Sequence, residues 1–114
     1  MEKDLERRTK RFSLAVIKFT AALPRTREAD VLSRQLLRSA TSIGANYREA
    51  NRGVSRADFV NKIGIVQKEA SETQYWLELL IESGVAARSP SEELLRESSE
   101  LLAIFTAIGK KLKH

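Results

Sequence analysis

Apolar residues recur along this chain at alternating steps of three and four positions, the spacing that places them on one face of an α-helix. Four segments with this spacing predict helices over about residues 4–22, 27–52, 56–83 and 90–112. The predicted buried positions are Leu5, Thr9, Phe12, Val16, Phe19 and Leu23 in the first segment, Leu32, Leu36, Ile43, Tyr47 and Ala50 in the second, Phe59, Ile63, Val66, Ala70, Thr73, Leu77 and Leu80 in the third, and Leu94, Ser98, Leu101, Phe105, Ile108 and Leu112 in the fourth. Because short connections make successive helices antiparallel, the pattern predicts one domain over residues 1–114, an all-α, up-down-up-down four-helix bundle.

The breaks between the predicted helices carry residues that start or stop helices. Pro24 ends the first segment, because proline has no N–H to donate and its ring clashes with the preceding turn. Thr26 and Ser55 are predicted N-caps of the second and third helices. Ser89, followed by Pro90 as the first helical residue, is predicted to cap the fourth. The predicted helix stops are Gly53 and Gly84. The small residues predicted to let the second and third helices approach closely are Ser39, Ala40, Gly44 and Gly64.

The composition is that of a folded helical domain. Of 114 residues, 42% are hydrophobic and 31% charged, with only five glycines and two prolines, which is typical of a helix-rich globular protein. The chain has no cysteine, which excludes disulfides and thiolate sites and favours a cytoplasmic protein. The first residues are charged, and no apolar run approaches the roughly 18 residues of a membrane span, so we expect neither secretion nor membrane association.

Candidate catalytic and metal-binding residues are scarce. The single histidine is His114, so an internal Ser–His pair and the Glu-x-x-His ligands of di-iron bundles are absent. Glu69 and Glu72 lie three positions apart in the third helix, and Glu49 of the second helix is placed to approach them. Salt bridges to nearby arginines are the expected use of these acids. The sequence therefore predicts no metal, no cofactor and no enzymatic activity.

Basic residues are concentrated in the first half of the chain. The formal net charge is +5, and residues 1–62 hold 14 Lys and Arg against 7 Asp and Glu, whereas residues 63–114 hold 6 against 8. Helical spacing places several arginines of the second helix opposite its apolar face, with no acid of that helix squarely among them. We call this set the arginine stripe: Arg27, Arg34, Arg38, Arg48 and Arg52. A second basic block on the first helix contains Lys3, Arg7, Arg8, Lys10 and Arg11.

The arginine stripe allows two interpretations. It can neutralise phosphates, which predicts salt-dependent binding of RNA or DNA without sequence preference. It can also be a solvated helix face, paired with acids of the third helix or of another subunit. No aromatic residue lies within the stripe, so base stacking on this face is not expected.

The third helix carries more apolar surface than one bundle seam needs. Ile65, Tyr75, Trp76 and Leu79 lie away from the line of its predicted core residues. A second apolar face predicts a contact with another subunit. The alternative is a wide core face on a tilted helix.

Three stretches of sequence carry a resemblance to a known family. They are Gln-Leu-Leu-Arg-Ser-Ala-Thr-Ser-Ile-Gly-Ala-Asn-Tyr-Arg-Glu-Ala at positions 35–50, Asp-Phe at 58–59, and Lys-Glu-Ala-Ser-Glu-Thr-Gln-Tyr-Trp-Leu-Glu-Leu-Leu at 68–80. From about Phe12 to Leu112 the chain resembles four-helix bundle proteins of the 23S rRNA intervening-sequence type, also labelled S23 ribosomal proteins. Many members read Asn-Ile-Ala-Glu-Gly, so Asn46 and Glu49 match this motif and Ala50 replaces its glycine.

The resemblance implies a homopentamer of bundles and little about activity. Some members are encoded within intervening sequences of bacterial ribosomal RNA genes, and most have no assigned function. A related group, the accessory variability determinant of diversity-generating retroelements, binds nucleic acid and a reverse transcriptase. We therefore expect a non-catalytic oligomer that binds RNA or DNA and assists a nucleic-acid enzyme such as a reverse transcriptase. The alternative is a structural or protein-interaction oligomer with no nucleic-acid role.

Overall fold

Four antiparallel helices in chain order form the bundle that the apolar spacing predicts. The protein is described by a computed structural model that covers residues 2–113, with side chains from residue 4 onwards. The helices are α1 (Glu2–Ala21), α2 (Arg27–Asn51), α3 (Arg56–Glu82) and α4 (Arg88–Leu112). The bounds predicted from sequence agree with these to within two residues. His114 and the side chain of Lys3 lie outside the described residues.

The helices form a rod of 44 × 22 × 20 Å, in which each helix packs against two neighbours. The contact between α1 and α4 is the sparsest of the four. The centre is apolar, with Leu36, Ile63, Leu77 and Phe105 fully buried or nearly so. Leu5, Phe19, Leu23, Leu32, Phe59, Ile108 and Leu112, also predicted to be buried, are partly buried and pack against this core. No helix among residues 2–113 is both long and apolar enough to cross a membrane.

Two of the three predicted N-caps are confirmed. The Thr26 hydroxyl accepts a hydrogen bond from the Ala29 N–H at 3.1 Å, and the Ser55 hydroxyl accepts one from the Asp58 N–H at 3.1 Å. Each bond satisfies one of the N–H groups that a helix start leaves without a backbone partner. Gly84 ends α3 with φ of 78°, a conformation that suits glycine because it has no Cβ.

The prediction that Ser89 caps α4 is wrong. The helix begins at Arg88, with Ala87 as N-cap and no side-chain capping bond, so Ser89 and Pro90 already lie in the first turn. Proline is tolerated there because the first N–H groups of a helix have no intrahelical acceptor. The Ser91 hydroxyl turns inward instead and donates to the Ala87 carbonyl at 2.5 Å.

The predicted role of two glycines is also wrong. Gly44 faces α1 rather than α3, and a Cβ placed on it would lie 3.3 Å from the Thr9 hydroxyl oxygen. Gly64 is exposed, and a Cβ there would meet nothing within 4 Å. Ser39 does serve the contact between α2 and α3, since its buried hydroxyl accepts a hydrogen bond from Thr73 at 2.9 Å. The close approach that Gly44 allows therefore joins α1 to α2.

Candidate functional site

The centre of the arginine stripe is neutralised by acids of α3. Arg38 donates to Glu69 at 3.2 Å and to Glu72 at 2.5 Å, and these contacts raise the pKa of Arg38, chiefly through the hydrogen bond to Glu72. Glu69 is buried, so its charge is balanced within the bundle. For Arg38 the interpretation of pairing with the third helix is confirmed.

Other arginines of the stripe have local partners. Arg34 pairs with Asp30 one turn earlier, so an acid of α2 does lie within the stripe, contrary to expectation. Arg27 contacts its neighbour Glu28 at 3.3 Å. These side chains are largely exposed, and ion pairs of this kind contribute little to stability. Both guanidinium groups therefore remain accessible, with an acid beside each.

Arg48 is the member of the stripe with no acid in ion-pair contact among the described side chains. It is exposed, and with Arg7 and Lys10 of α1 it lines a cleft between α1 and α2 of about 340 Å³. Arg7 and Lys10 are also exposed and form no described ion pair. We call this site the basic cleft. Its other lining residues are Glu6, Ser13, Gly44 and Ala45.

The one acid among the described lining residues of the basic cleft is held by residues at its margin. Glu6 accepts a hydrogen bond from the Asn51 amide at 2.8 Å and lies 3.5 Å from the Arg52 guanidinium. The Asn51 bond is the main cause that lowers the pKa of Glu6 below its ordinary value, and the charges of Arg52 and Arg48 lower it further. Glu6 is therefore ionised at neutral pH and directed towards Asn51 and Arg52. Three cations against one engaged carboxylate leave the cleft positive.

The outer face of α1 extends the positive surface beyond the basic cleft. Arg11 and Lys18 are exposed and without described ion pairs. Arg8, by contrast, is bound to Glu97 and Glu100 of α4, and the hydrogen bond to Glu97 is the main cause that raises its pKa. Of the second basic block, Arg8 is thus occupied within the bundle, and Lys3 lies outside the described side chains.

The acids considered as metal ligands do not converge. Glu49 accepts a hydrogen bond from Lys62 at 2.8 Å, which lowers its pKa, whereas Glu69 and Glu72 lie against Arg38. The prediction that Glu49 approaches Glu69 and Glu72 is therefore wrong. Within residues 2–113 no group of three His, Cys, Asp or Glu side chains is placed to hold a metal ion. Asn46, the other matching motif residue, donates to the Ser42 carbonyl at 2.9 Å within α2.

The predicted interface residues of α3 differ in exposure. Tyr75 is 54% exposed and packs edge-on against Trp76, with ring centroids 5.1 Å apart. Trp76 packs against the core, and its buried indole N–H has no hydrogen-bond partner within the described structure. Ile65 and Leu79 are half-buried. The apolar surface of this face is therefore contributed mainly by Tyr75, with smaller parts of its neighbours.

The sequence shows that Arg7, Lys10 and Arg48 are basic, but it does not show that they lie together. Helical spacing places Arg48 with other arginines of α2 and places Arg7 and Lys10 in a separate block on α1. Their convergence depends on the register between α1 and α2, in which Thr9 lies opposite Gly44. The glycine was the available signal, since a glycine inside a helix often marks a close approach by a neighbour.

Comparisons with known proteins agree with this architecture. The model of a protein family described as 23S rRNA-intervening sequence protein matches residues 2–107. A crystal structure from Bacteroides thetaiotaomicron VPI-5482, described as a protein with unknown function from the S23 ribosomal protein family, is 40% identical with a TM-score of 0.87. That match covers 96% of this chain and 99% of the other. No curated protein matches the chain.

Proposed function

Since the chain belongs to the 23S rRNA-intervening sequence protein family, we propose that it is a non-catalytic protein that binds RNA or DNA through the basic cleft. The observation that carries this proposal is the convergence of Arg7, Lys10 and Arg48 on one groove without described acid partners. Phosphate groups are the ligands that such a cluster of accessible cations attracts.

The surroundings of the basic cleft favour backbone contacts over base readout. The described lining of the cleft includes no aromatic side chain on which a base could stack. Arg11 and Lys18 continue the positive surface along α1. This arrangement supports binding that depends on charge and salt rather than on nucleotide sequence.

A salt titration tests the cleft against the rest of the basic surface. Binding of a fluorescent structured RNA is measured by anisotropy between about 50 and 300 mM salt, a range in which phosphate contacts lose affinity steeply. The triple variant R7Q/K10Q/R48Q should bind more weakly, and the slope of log affinity against log salt should fall by about 2 to 3, since each phosphate contact contributes about 0.7 to 0.9. A DNA duplex of the same length shows whether the cleft distinguishes the two nucleic acids.

A matched control removes the same three formal charges elsewhere. The variant R27Q/R34Q/R88Q replaces exposed arginines that each lie beside an acid. This variant should retain most of the affinity and the slope. Equal losses of affinity in the two variants would show that total charge alone matters. If the wild type shows no salt-sensitive binding even at the lowest salt concentration, the nucleic-acid role is ruled out.

We also propose that the chain self-associates through the outer face of α3, as a pentamer. The half-exposed Tyr75, packed on Trp76 and flanked by Ile65 and Leu79, is the surface that supports this contact. Light scattering at micromolar concentration should then give about 64 kDa, five times the 12.8 kDa chain. Tyr75→Glu should lower that mass while Ala107→Glu on α4 should not; a single-chain mass for the wild type would contradict the proposal.

Catalysis has no place in this proposal. A nucleic-acid enzyme such as a reverse transcriptase is the kind of partner that the bound RNA or DNA would bring to the protein. If the RNA assay fails while self-association persists, the function that remains is that of a structural or interaction oligomer.

A further inference from the structure

A second groove lies between α1 and the start of α4, apart from the basic cleft. Its volume is about 750 Å³. We call it the apolar groove; its lining is Ala15, Lys18, Phe19, Ala22, Leu23, Pro24, Val85, Ala87, Pro90, Glu93 and Leu94. It opens along the sparsest of the four helix contacts, that between α1 and α4.

The two long walls of the apolar groove are helix faces, and the segments just after α1 and just before α4 close its end. Ala15 and Phe19 lie four positions apart on α1, and Pro90 and Leu94 lie four apart on α4. The remaining apolar lining residues, which belong to the connecting segments, are Ala22, Leu23, Pro24, Val85 and Ala87. The side chains of each helical pair share one side of their helix. Two parallel ridges of this kind, with Phe19 only partly buried, form a seat of the shape that a third helix fills.

Nine of the eleven lining residues are apolar, and the two charged ones have opposite signs on opposite walls. Lys18 belongs to α1 and Glu93 to α4, and both are exposed. They form no ion pair with each other or with any other described side chain. A small ligand would find no convergent polar groups to orient it, whereas a helix with charges along both edges of its apolar face would pair with both residues.

We propose that the apolar groove binds an amphipathic α-helix of another protein, with its apolar face between α1 and α4. One edge of that helix carries acidic residues, which pair with Lys18. The other edge carries basic residues, which pair with Glu93. Alanines on the walls leave room for large aliphatic side chains of the partner.

Three synthetic 18-residue helical peptides test the charge rule. They share one Leu-rich face and differ at its edges: one edge Glu and the other Lys, both edges Glu, or both edges Lys. Fluorescence anisotropy should show that the wild-type protein prefers the mixed peptide. Glu93→Lys makes both walls basic and should shift the preference to the all-Glu peptide, and Lys18→Glu should shift it to the all-Lys peptide. This reversal does not depend on the direction in which a peptide lies in the groove.

The apolar contact is tested separately. A15E/A22E places charges at two exposed lining positions, Ala15 within α1 and Ala22 directly after it, and should weaken binding of the mixed peptide at least about tenfold, a loss of roughly 1.4 kcal/mol. A103E/A107E, at exposed positions of α4 outside the groove, is the matched control and should bind as the wild type does. Helical circular dichroism of each variant establishes that it is folded.

Three outcomes would overturn the proposal. The first is no saturable binding of any peptide. The second is binding that the charge reversals and A15E/A22E leave unchanged. The third is a wild-type oligomer that A15E/A22E dissociates, because the occupant of the groove would then be a second copy of this chain.

Discussion

Arg8 on α1 holds Glu97 on α4 through two hydrogen bonds of 2.7 and 2.8 Å, and it reaches Glu100 at 2.8 Å. A guanidinium and a carboxylate joined by two bonds form one of the stronger ionic contacts in proteins. This pair links α1 and α4, the two neighbouring helices with the sparsest contact.

We expect Arg8→Met to lower the free energy of unfolding by about 1 kcal/mol, the upper end for a partly exposed pair. Urea denaturation of Arg8→Met, Glu97→Gln and the double variant gives the coupling energy between the two side chains. A coupling indistinguishable from zero would mean that the Arg8–Glu97 pair adds nothing to the stability of the contact between α1 and α4.

Two glycines should respond in opposite directions to alanine. Gly64→Ala should stabilise the protein by roughly 0.5 to 1 kcal/mol, because alanine favours the helix and its Cβ meets nothing within 4 Å. Gly84→Ala should destabilise it, because alanine is strained at φ of 78°. Thermal and urea unfolding measure the stability of both variants. A change of the same sign in the free energy of unfolding of both would contradict these opposite expectations.

The buried hydroxyl pair of Thr73 and Ser39 should contribute measurably to stability. Thr73→Val keeps the side-chain shape but removes the donor that lies 2.9 Å from the Ser39 oxygen. We expect a loss of about 1 kcal/mol in the free energy of unfolding. The Thr73 hydroxyl also bonds the Glu69 carbonyl of its own helix at 2.8 Å. Thr20→Val is the control, because among the described residues the Thr20 hydroxyl bonds just such a carbonyl, that of Ile17, and no other helix. Equal losses from the two substitutions would show that the contact between helices adds nothing.

The stability contributed by Glu6 should depend on pH in one direction. The folded protein lowers the pKa of Glu6 below its ordinary value near 4.5, chiefly through the Asn51 bond. The ionised form is therefore favoured by folding, so the contribution is complete above the ordinary pKa and is lost as the pH falls through the lower, folded value. Unfolding in urea between pH 7 and pH 3 should show wild type and Glu6→Gln converging below about pH 4.5; a gap that widens on acidification would reverse the sign.

The helices could be predicted because each is amphipathic or bounded by residues that stop helices. Thr26 and Ser55 cap as expected, since capping needs only a local hydroxyl and a helix start. The prediction that Ser89 is a cap is wrong because the sequence alone does not distinguish a proline at the third position of a helix from one at its first position. The local sequence therefore predicts the start of a helix to within about one turn. Packing of the helix then determines which residue of that turn is the first.

The candidate sites were harder to predict because they join residues of different helices. Helical periodicity shows which residues share a face of α2, but it does not show that Glu69 and Glu72 neutralise Arg38 while Arg48 forms no ion pair with a described acid. That division depends on the register between helices, which the short connections do not fix. The apolar groove was missed for the same reason, since its two walls lie about 70 positions apart in the chain.

The 44 Å length of the rod limits how much of a bound nucleic acid one chain can contact. A B-form duplex advances 3.4 Å per step along each strand, so one chain laid lengthwise reaches across no more than about 13 steps. If a nuclease footprint on a bound duplex is longer than this, more than one copy of the chain lies along the duplex. The protected length then indicates how many copies lie side by side.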